Sequence, residues 1–259
     1  MESQTDRDRK GAPAIDSQID SQIESEIGSQ GQVTVWVALD VPTAREAEEW
    51  MARLYPHHHF KVGLELFLAA GPQAVAAWTA RGEHIFLDLK LHDIPNTVAG
   101  AVRQAGRLEV ELLTVHAAGG PAMLAAAQEA AGPGLTLAAV TVLTSLGDDV
   151  LAAMGAPAAR VWAETLAEMA ARAGIGAAVT SGAEAGALHR RWPMLALVVP
   201  GVRPAGAAAG DQARVVRPAE AVAAGATHLV VGRPILSAGD PPAALAALVA
   251  EVKGGMTHA

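Results

Sequence analysis

The stretch FLDLKLHDIPNTV, residues 86–98, opens as a buried β-strand and then places Asp88, Lys90 and Asp93 within six residues. Side chains alternate across a strand, so Asp88 and Lys90 are expected to share one face while the surrounding leucines and Phe86 supply apolar packing. Charged residues are seldom buried without a partner. The stretch therefore predicts a strand whose end carries ionic groups for a purpose other than packing.

Seven further β-type runs accompany this one, and Ala-rich helical stretches separate them from Val33 onward. The eight runs are VTVWVAL (33–39), HFKV (59–62), HIFLDLK (84–90), ELLTVH (111–116), LTLAAVTVL (135–143), GAAVT (176–180), LALVV (195–199) and THLVV (227–231). Strands that alternate with helices are typical of βα units around a parallel sheet.

Eight such units predict a (β/α)₈ TIM barrel, whose usual length is about 250 residues, over residues 33–253. An open doubly wound sheet is the alternative. The barrel is favoured because a polar residue ends nearly every strand, and in a barrel all these ends converge on one mouth. The residues at the strand ends are Asp40, Lys61, Lys90, His116, Thr144, Ser181, Arg203 and Arg233. Residues 254–259 are expected to form a short C-terminal tail.

The composition excludes several classes of function. The 259 residues are 51% hydrophobic and 18% charged, which suits one large globular domain. A net charge of −8 argues against non-specific nucleic-acid binding. The chain has no cysteine, which excludes disulfides and thiolate sites, and no apolar run is long enough to span a bilayer. We expect a cytoplasmic protein that binds neither membranes nor nucleic acid.

Residues 1–32 form a polar extension that carries seven acidic and three basic residues. Its segment IDSQIDSQIESEIGSQ repeats every four residues and brings Ile15, Ile19, Ile23 and Ile27 to a helical spacing. Few apolar residues favour a disordered tail. A short docking helix is the alternative.

Two loops point to a phosphate site. PGVRP (200–204) follows the seventh strand and GRP (232–234) follows the eighth, so that Gly201 and Gly232 expose backbone N–H groups while Arg203 and Arg233 bring positive charge. These two loops form the usual phosphate site of such barrels. The Gly/Ala-rich segment 204–214 between them suits a lid, with Gln212 as its polar contact.

Three histidines, His57 to His59, suggest a metal site, but they precede or begin the second strand. They therefore belong to the N-terminal rim of the barrel, which serves stability rather than chemistry. We expect a solvated loop there, and a metal at that rim would be incidental to function. His116 ends the fourth strand and is expected to be a hydrogen-bonded supporting group.

Lys61, Asp88, Lys90 and Asp93 form an alternating set of charges near the predicted mouth. A buried salt-bridge network that holds the barrel together is one interpretation. Such networks are costly to desolvate and are poor stabilisers. Two lysines and two aspartates at a barrel mouth therefore indicate a functional site.

Seven segments carry a resemblance to a known family. They are ALD (38–40), KVGLELF (61–67), FLDLKLHDIPNTV (86–98), VTVLTS (140–145), PGVRPAG (200–206), GDQAR (210–214) and VVGRPI (230–235). Together they resemble the orotidine 5′-phosphate decarboxylases over residues 33 to about 252. The Asp-Lys-Asp spacing also occurs in related sugar-phosphate enzymes, but the IPNT that follows it is specific to this family.

The resemblance implies decarboxylation of orotidine 5′-monophosphate to uridine 5′-monophosphate and carbon dioxide, in de novo pyrimidine synthesis, without a cofactor or metal. It implies that Lys90 donates the proton, that Asp88 lies beside the departing carboxylate and that Lys61 completes the charge network. It also implies a homodimer in which Asp93 enters the neighbouring subunit's site. The remaining implied contacts to the nucleotide are Asp40, Thr97, Thr144, Ser145, Arg203, Gln212, Gly232 and Arg233.

Two alternatives remain. A metal-dependent sugar-phosphate decarboxylase or aldolase of the same barrel superfamily would share the Asp-Lys-Asp spacing, but such enzymes carry an acidic metal ligand where this chain has Lys61. A catalytically silent nucleotide-binding protein is the other alternative, and the complete set of charged residues argues against it.

Overall fold

The computed structural model describes residues 33–203 and 215–256. Its strands form a closed parallel barrel in which each strand pairs with the next and the last pairs with the first. The strands are β1 (Thr34–Ala38), β2 (His59–Gly63), β3 (His84–Leu91), β4 (Leu112–His116), β5 (Thr136–Val140), β6 (Ala177–Val179), β7 (Ala196–Pro200) and β8 (His228–Val231). Each predicted β-type run overlaps one strand. The predicted (β/α)₈ barrel is therefore confirmed.

A helix follows every strand, and two helices follow β5 and β8. Within the described ranges the helices are α1 (Ala44–Leu54), α2 (Leu64–Thr79), α3 (Pro95–Gly106), α4 (Gly120–Ala130), α5 (Asp148–Ala153), α6 (Ala159–Arg172), α7 (Gly182–Arg191), α8 (Pro218–Ala223), α9 (Arg233–Leu236) and α10 (Pro241–Met256). A 3₁₀ turn, Ala117–Gly119, lies between β4 and α4. The last helix continues to Met256, past the predicted boundary at residue 253.

The IPNT sequence sets how the chain passes from β3 into α3. Ile94 precedes a proline and is extended, with φ −59° and ψ 152°, as the proline ring favours. Pro95 then occupies the start of the helix, where its missing N–H costs no hydrogen bond. Asp93 is thereby held just before α3, and Thr97 lies in the first helical turn.

The apolar core has two parts, one between the barrel and the helices and one inside the barrel. The inner part consists of Trp36, Ala38, Phe86, Leu112, Ala138, Ala177, Val198 and Val230. Trp36 is fully buried, and its ring meets that of Phe86 edge to face at 5.7 Å between centroids. Alanines on β5 and β6 complement this large indole. The filled interior separates the mouth of the barrel from its N-terminal end.

Two local expectations need correction. β5 was predicted to reach residue 143 but ends at Val140, because the chain leaves the sheet and turns at residues 144–145. The triple histidine lies at the N-terminal rim as predicted, but the solvated-loop interpretation is wrong, because all three histidines are half-buried. His57 Nε2 lies 2.9 Å from the backbone O of His59, which is the first residue of β2.

Several predictions concern residues outside the described ranges. They are the N-terminal extension with its two alternative interpretations, the segment 204–214 with Gln212, and the last three residues of the tail. Among the described residues, no helix combines the length and the apolar character needed to cross a membrane.

Candidate active site

A cavity of about 240 Å³ opens at the carboxyl ends of the strands. Its walls include the interior side chains Phe86, Val198 and Val230. Eight of the predicted site residues line it, namely Asp40, Lys61, Asp88, Lys90, Thr144, Arg203, Gly232 and Arg233. Residues that are up to about 190 positions apart in the chain meet here because parallel strands of a barrel end on one face.

Lys90 owes its position to an irregularity in β3. Its φ is +48°, a left-handed conformation that costs a non-glycine residue about 1–2 kcal/mol. The pairing of β3 with β4 shifts register between Leu87 and Leu91, as in a β-bulge. The backbone N–H of Lys90 donates instead to Thr114 Oγ1 at 2.8 Å. The bulge directs the ammonium of Lys90 into the cavity.

The carboxylate of Asp88 is the centre of the charged network. Lys90 Nζ donates to both of its oxygens, at 2.8 and 2.9 Å, and Thr114 Oγ1 donates to Oδ1 at 3.0 Å. Lys61 Nζ lies 3.7 Å from Oδ2. Burial favours a higher pKa for Asp88, but the charges of Lys61 and Lys90 and the hydrogen bonds bring its pKa below the ordinary value. Asp88 is therefore ionised at neutral pH.

Lys61 joins this carboxylate to a second one. Its side chain is buried, and its Nζ donates to Asp40 Oδ1 at 3.2 Å. Gly63 makes room for it, because a Cβ at that position would lie only 3.2 Å from the Lys61 ammonium. The ends of β1, β2 and β3 therefore contribute a chain of alternating charges across the mouth, namely Asp40, Lys61, Asp88 and Lys90.

Two arginines, from the loops after β7 and β8, also line this cavity. Arg203 follows β7 and is 7% exposed, and Arg233 follows β8. Gly201 and Gly232 line the cavity beside them. A Cβ at Gly232 would lie 3.3 Å from the Cβ of Ala38, so the loop passes close to β1. Two guanidinium groups that converge on one cavity favour an anionic ligand.

Three predicted residues of the described chain do not line the cavity. Ser145 is exposed, and the part of this loop that lines the cavity ends at Thr144. Asp93 and Thr97 are also exposed. Asp93 Oδ1 accepts from the N–H of Ile94 at 2.6 Å, and among the described residues its carboxylate has no ion-pair partner. Asp93 is thus separate from the charged network of Asp40, Lys61, Asp88 and Lys90.

Sequence reasoning missed two threonines. Thr114 is fully buried on β4 and bonds both the backbone of Lys90 and the carboxylate of Asp88. Thr180 follows β6, and its buried Oγ1 lines the cavity without a hydrogen-bond partner among the described residues. A lone hydroxyl inside an otherwise apolar run was the available signal for each. His116, by contrast, is a hydrogen-bonded group as predicted, since its Nδ1 accepts from the N–H of Ala118.

Comparison with known proteins identifies the family. Residues 34–248 match the family described as orotidine 5′-phosphate decarboxylase / HUMPS. The chain belongs to this family. The resemblance predicted from the motifs is therefore confirmed, and with it the assignment of the chain as an enzyme.

The chain aligns with relatives in this family over nearly the whole length of those relatives. The orotidine 5′-phosphate decarboxylases of Anaeromyxobacter sp. (strain K) and Thermobifida fusca (strain YX) are each 53% identical over 221 residues. The alignments span 83% and 84% of this chain and 96% and 94% of the relatives. The crystal structure of orotidine 5′-phosphate decarboxylase from Lactobacillus acidophilus matches with a TM-score of 0.76 and 35% identity, over 85% of this chain and 99% of that one.

Proposed function

We propose that the protein converts orotidine 5′-monophosphate to uridine 5′-monophosphate and carbon dioxide, as the decarboxylating step of pyrimidine biosynthesis. The observation that carries this proposal is the contact of Lys90 Nζ with both oxygens of Asp88, in a cavity that also holds Arg203 and Arg233. Membership of the family and the 53% identity to named decarboxylases support it.

The reaction forms a carbanion that needs electrostatic stabilisation. When the bond between C6 and the carboxylate breaks, carbon dioxide leaves and the electron pair stays on C6 in the plane of the ring. The ring carbonyls cannot delocalise a pair in that plane. A fixed positive charge beside C6 is the remaining way to stabilise it, and each tenfold gain in rate needs about 1.4 kcal/mol of such differential stabilisation.

Lys90 supplies this charge and then the proton. An ammonium has three N–H groups, and the two contacts with Asp88 leave at least one for the cavity. In the proposed reaction the C6 electron pair takes a proton from Lys90 Nζ. The resulting amine regains a proton from solvent after the product leaves. These steps balance without an oxidant, a reductant or a metal, so we propose a cofactor-free reaction.

Asp88 and Lys61 position Lys90 and set the local charge. Asp88 is ionised and holds the ammonium by two short contacts, while Lys61 partly offsets its charge from 3.7 Å. The carboxylate of Asp88 would also repel the substrate carboxylate before it departs, and so contribute ground-state destabilisation. Asp40 orients Lys61 by accepting its hydrogen bond, and it would accept another from a ribose hydroxyl. Thr144 would face the pyrimidine, together with Ser145 if the loop after β5 closes over the ring.

We propose that Arg203, Arg233 and the loop at Gly232 bind the substrate phosphate. Both side chains line the cavity that contains Lys90, and arginine matches a phosphate by two parallel hydrogen bonds. Binding energy from this remote group would organise the site for the chemistry. Gln212, which lies outside the described residues, stays a predicted contact to the same phosphate.

We further propose a homodimer in which Asp93 and Thr97 complete the partner's site. Both residues are exposed, and neither lines the cavity of its own chain. Ile94, which follows Asp93, is 66% exposed, and Leu64 and Leu68 of α2 are 52% and 79% exposed. Apolar groups exposed beside polar site residues are typical of an interface. The cytoplasmic location stays a prediction.

A spectrophotometric assay tests the function. Loss of the orotidine 5′-monophosphate absorbance on addition of the full-length protein, with release of one carbon dioxide per substrate, is the expected result. A metal-dependent sugar-phosphate enzyme is disfavoured because Lys61 stands where such relatives carry an acidic ligand. Turnover of a sugar phosphate that depends on magnesium, with no turnover of the nucleotide, would contradict the proposal.

A further inference from the structure

A second cluster of polar side chains lies at the N-terminal end of the barrel, away from the cavity. His59 begins β2, His84 begins β3 and Glu111 precedes β4, so three consecutive strands contribute. The sheet register places His59 directly beside His84. The backbone N–H of Glu111 donates to Ile85 O at 3.0 Å, which fixes Glu111 next to the start of β3. The barrel itself therefore holds the three side chains together.

Their donor atoms are close enough to share an ion. The rings of His59 and His84 stack with centroids 4.4 Å apart and planes 5° from parallel. His84 Nδ1 lies 3.0 Å from Glu111 Oε2. One donor atom from each of the three side chains lies within 4.8 Å of the others. Donors around tetrahedral zinc are about 3.4 Å apart, given metal–ligand distances near 2.1 Å, so the side chains must rotate to converge on an ion.

The chemical character of the three groups also suits a metal ion. His59 and His84 each offer an imidazole nitrogen, and Glu111 offers a carboxylate oxygen. The side chains of His84 and Glu111 are 52% and 44% exposed, which leaves a path for an ion from solvent.

We propose that His59, His84 and Glu111 form a binding site for a divalent transition-metal ion of the zinc class, with water in the remaining position. Two imidazole nitrogens and one carboxylate are a ligand set that such ions prefer over magnesium or calcium. His228 stands beside this site rather than in it, because its Nδ1 accepts a hydrogen bond from Trp36 Nε1 at 3.1 Å. The ion would tie β2, β3 and β4 together and would have a structural role.

The cluster and the cavity lie at opposite ends of the barrel, so the metal site can be tested separately from catalysis. Trp36 and Phe86 fill the barrel between the cluster and the mouth. Removal of the ion should therefore leave decarboxylation unchanged. It should lower the unfolding midpoint by a few degrees, since a ligand that binds only the folded state stabilises it.

The experiment uses the full-length protein stripped of metal by a chelator. Zn²⁺ is titrated calorimetrically, and Co²⁺ is added as a probe whose visible spectrum reports nitrogen ligands in tetrahedral geometry. The expected result is one ion per chain with a rise in unfolding midpoint. Glu111→Gln, which keeps the size of the side chain, and His84→Asn should each weaken binding by at least about tenfold.

His189→Gln is the matched control, because His189 is an exposed histidine on α7. It should bind zinc as the wild type does. Equal affinities in the wild type and in Glu111→Gln, or no binding to the wild type, would overturn the proposal. Should His84→Asn fail to fold, Glu111→Gln alone decides the question. Circular dichroism and nucleotide turnover show whether each variant is intact.

Discussion

The ammonium of Lys90 contacts both carboxylate oxygens of Asp88, at 2.8 and 2.9 Å, although only one residue separates them in β3. A regular strand would hold two such side chains in parallel. Here the left-handed backbone of Lys90 and the shifted register of β3 bend the strand and turn one side chain toward the other.

Lys90→Ala should lower nucleotide decarboxylation by at least about a thousandfold, because it removes the charge beside C6 and the proton donor together. Binding of uridine 5′-monophosphate should persist, since Arg203 and Arg233 are untouched. Single-turnover assays and calorimetry measure the two quantities separately. Turnover near the wild-type rate would exclude Lys90 as the acid.

Asp88→Asn should flatten the dependence of stability on acidic pH. The folded pKa of Asp88 lies below its ordinary value of 3.8. Its stabilising contribution is therefore fully present above that pH and is lost as pH falls through the folded pKa. Unfolding midpoints of wild type and Asp88→Asn, measured between pH 6 and pH 2.5, should differ most at the upper end and converge in acid. A constant difference would contradict the assigned ion pairs.

Arg233→Ala should raise the KM for the nucleotide by roughly 10- to 100-fold, because it removes a charged hydrogen bond to the phosphate. The kcat should also fall if the phosphate contact helps to organise the site. Steady-state kinetics measure both. Arg107→Ala, an exposed change at the far end of α3, is the control and should behave as the wild type. Unaltered kinetics in Arg233→Ala would show that the phosphate does not bind at Arg233.

Gly63→Ala should reduce kcat/KM by roughly tenfold or more while the fold is kept. Its φ of −89° is open to alanine, so the backbone is not strained, but the added methyl group would crowd Lys61 Nζ at 3.2 Å. Overpacking of this kind costs about 1–3 kcal/mol. Gly132→Ala, where an added Cβ meets nothing within 4 Å, is the control. Equal activities would show that Lys61 tolerates displacement.

Mixing Lys90→Ala with Asp93→Asn should restore activity that neither variant has alone. In a mixed dimer, the site on the Asp93→Asn subunit keeps its own Lys90 and receives an intact Asp93 from its partner. Random exchange makes about half of the dimers mixed, and one of two sites works in each, so activity should recover to roughly a quarter of wild type.

The exchange of subunits is verified first by mass spectrometry of differently tagged chains. If Asp93 serves its own subunit, every site in the mixture carries a lesion and no activity returns. That outcome would exclude the shared site and leave the other predictions intact.

The sequence by itself determined the architecture and most of the mouth. Eight apolar runs separated by helical stretches are compatible with only a limited set of folds. The polar residues that end these runs, from Asp40 to Arg233, specified which face of the sheet carries chemistry. These features are local, because a strand needs only its own side-chain pattern and a strand end needs only the next residue. The Asp-Lys-Asp spacing with its IPNT extension was local in the same sense.

Only the tertiary structure decided which residues meet. Thr114 reaches Asp88 because β4 pairs with β3 at a shifted register, and no single segment encodes that shift. Asp93 precedes α3 and lies outside the cavity although it is only three residues from Lys90. His59, His84 and Glu111 come from three segments whose adjacency depends on closure of the barrel. Register and closure are properties of paired strands, so these contacts appear only when the whole sheet has formed.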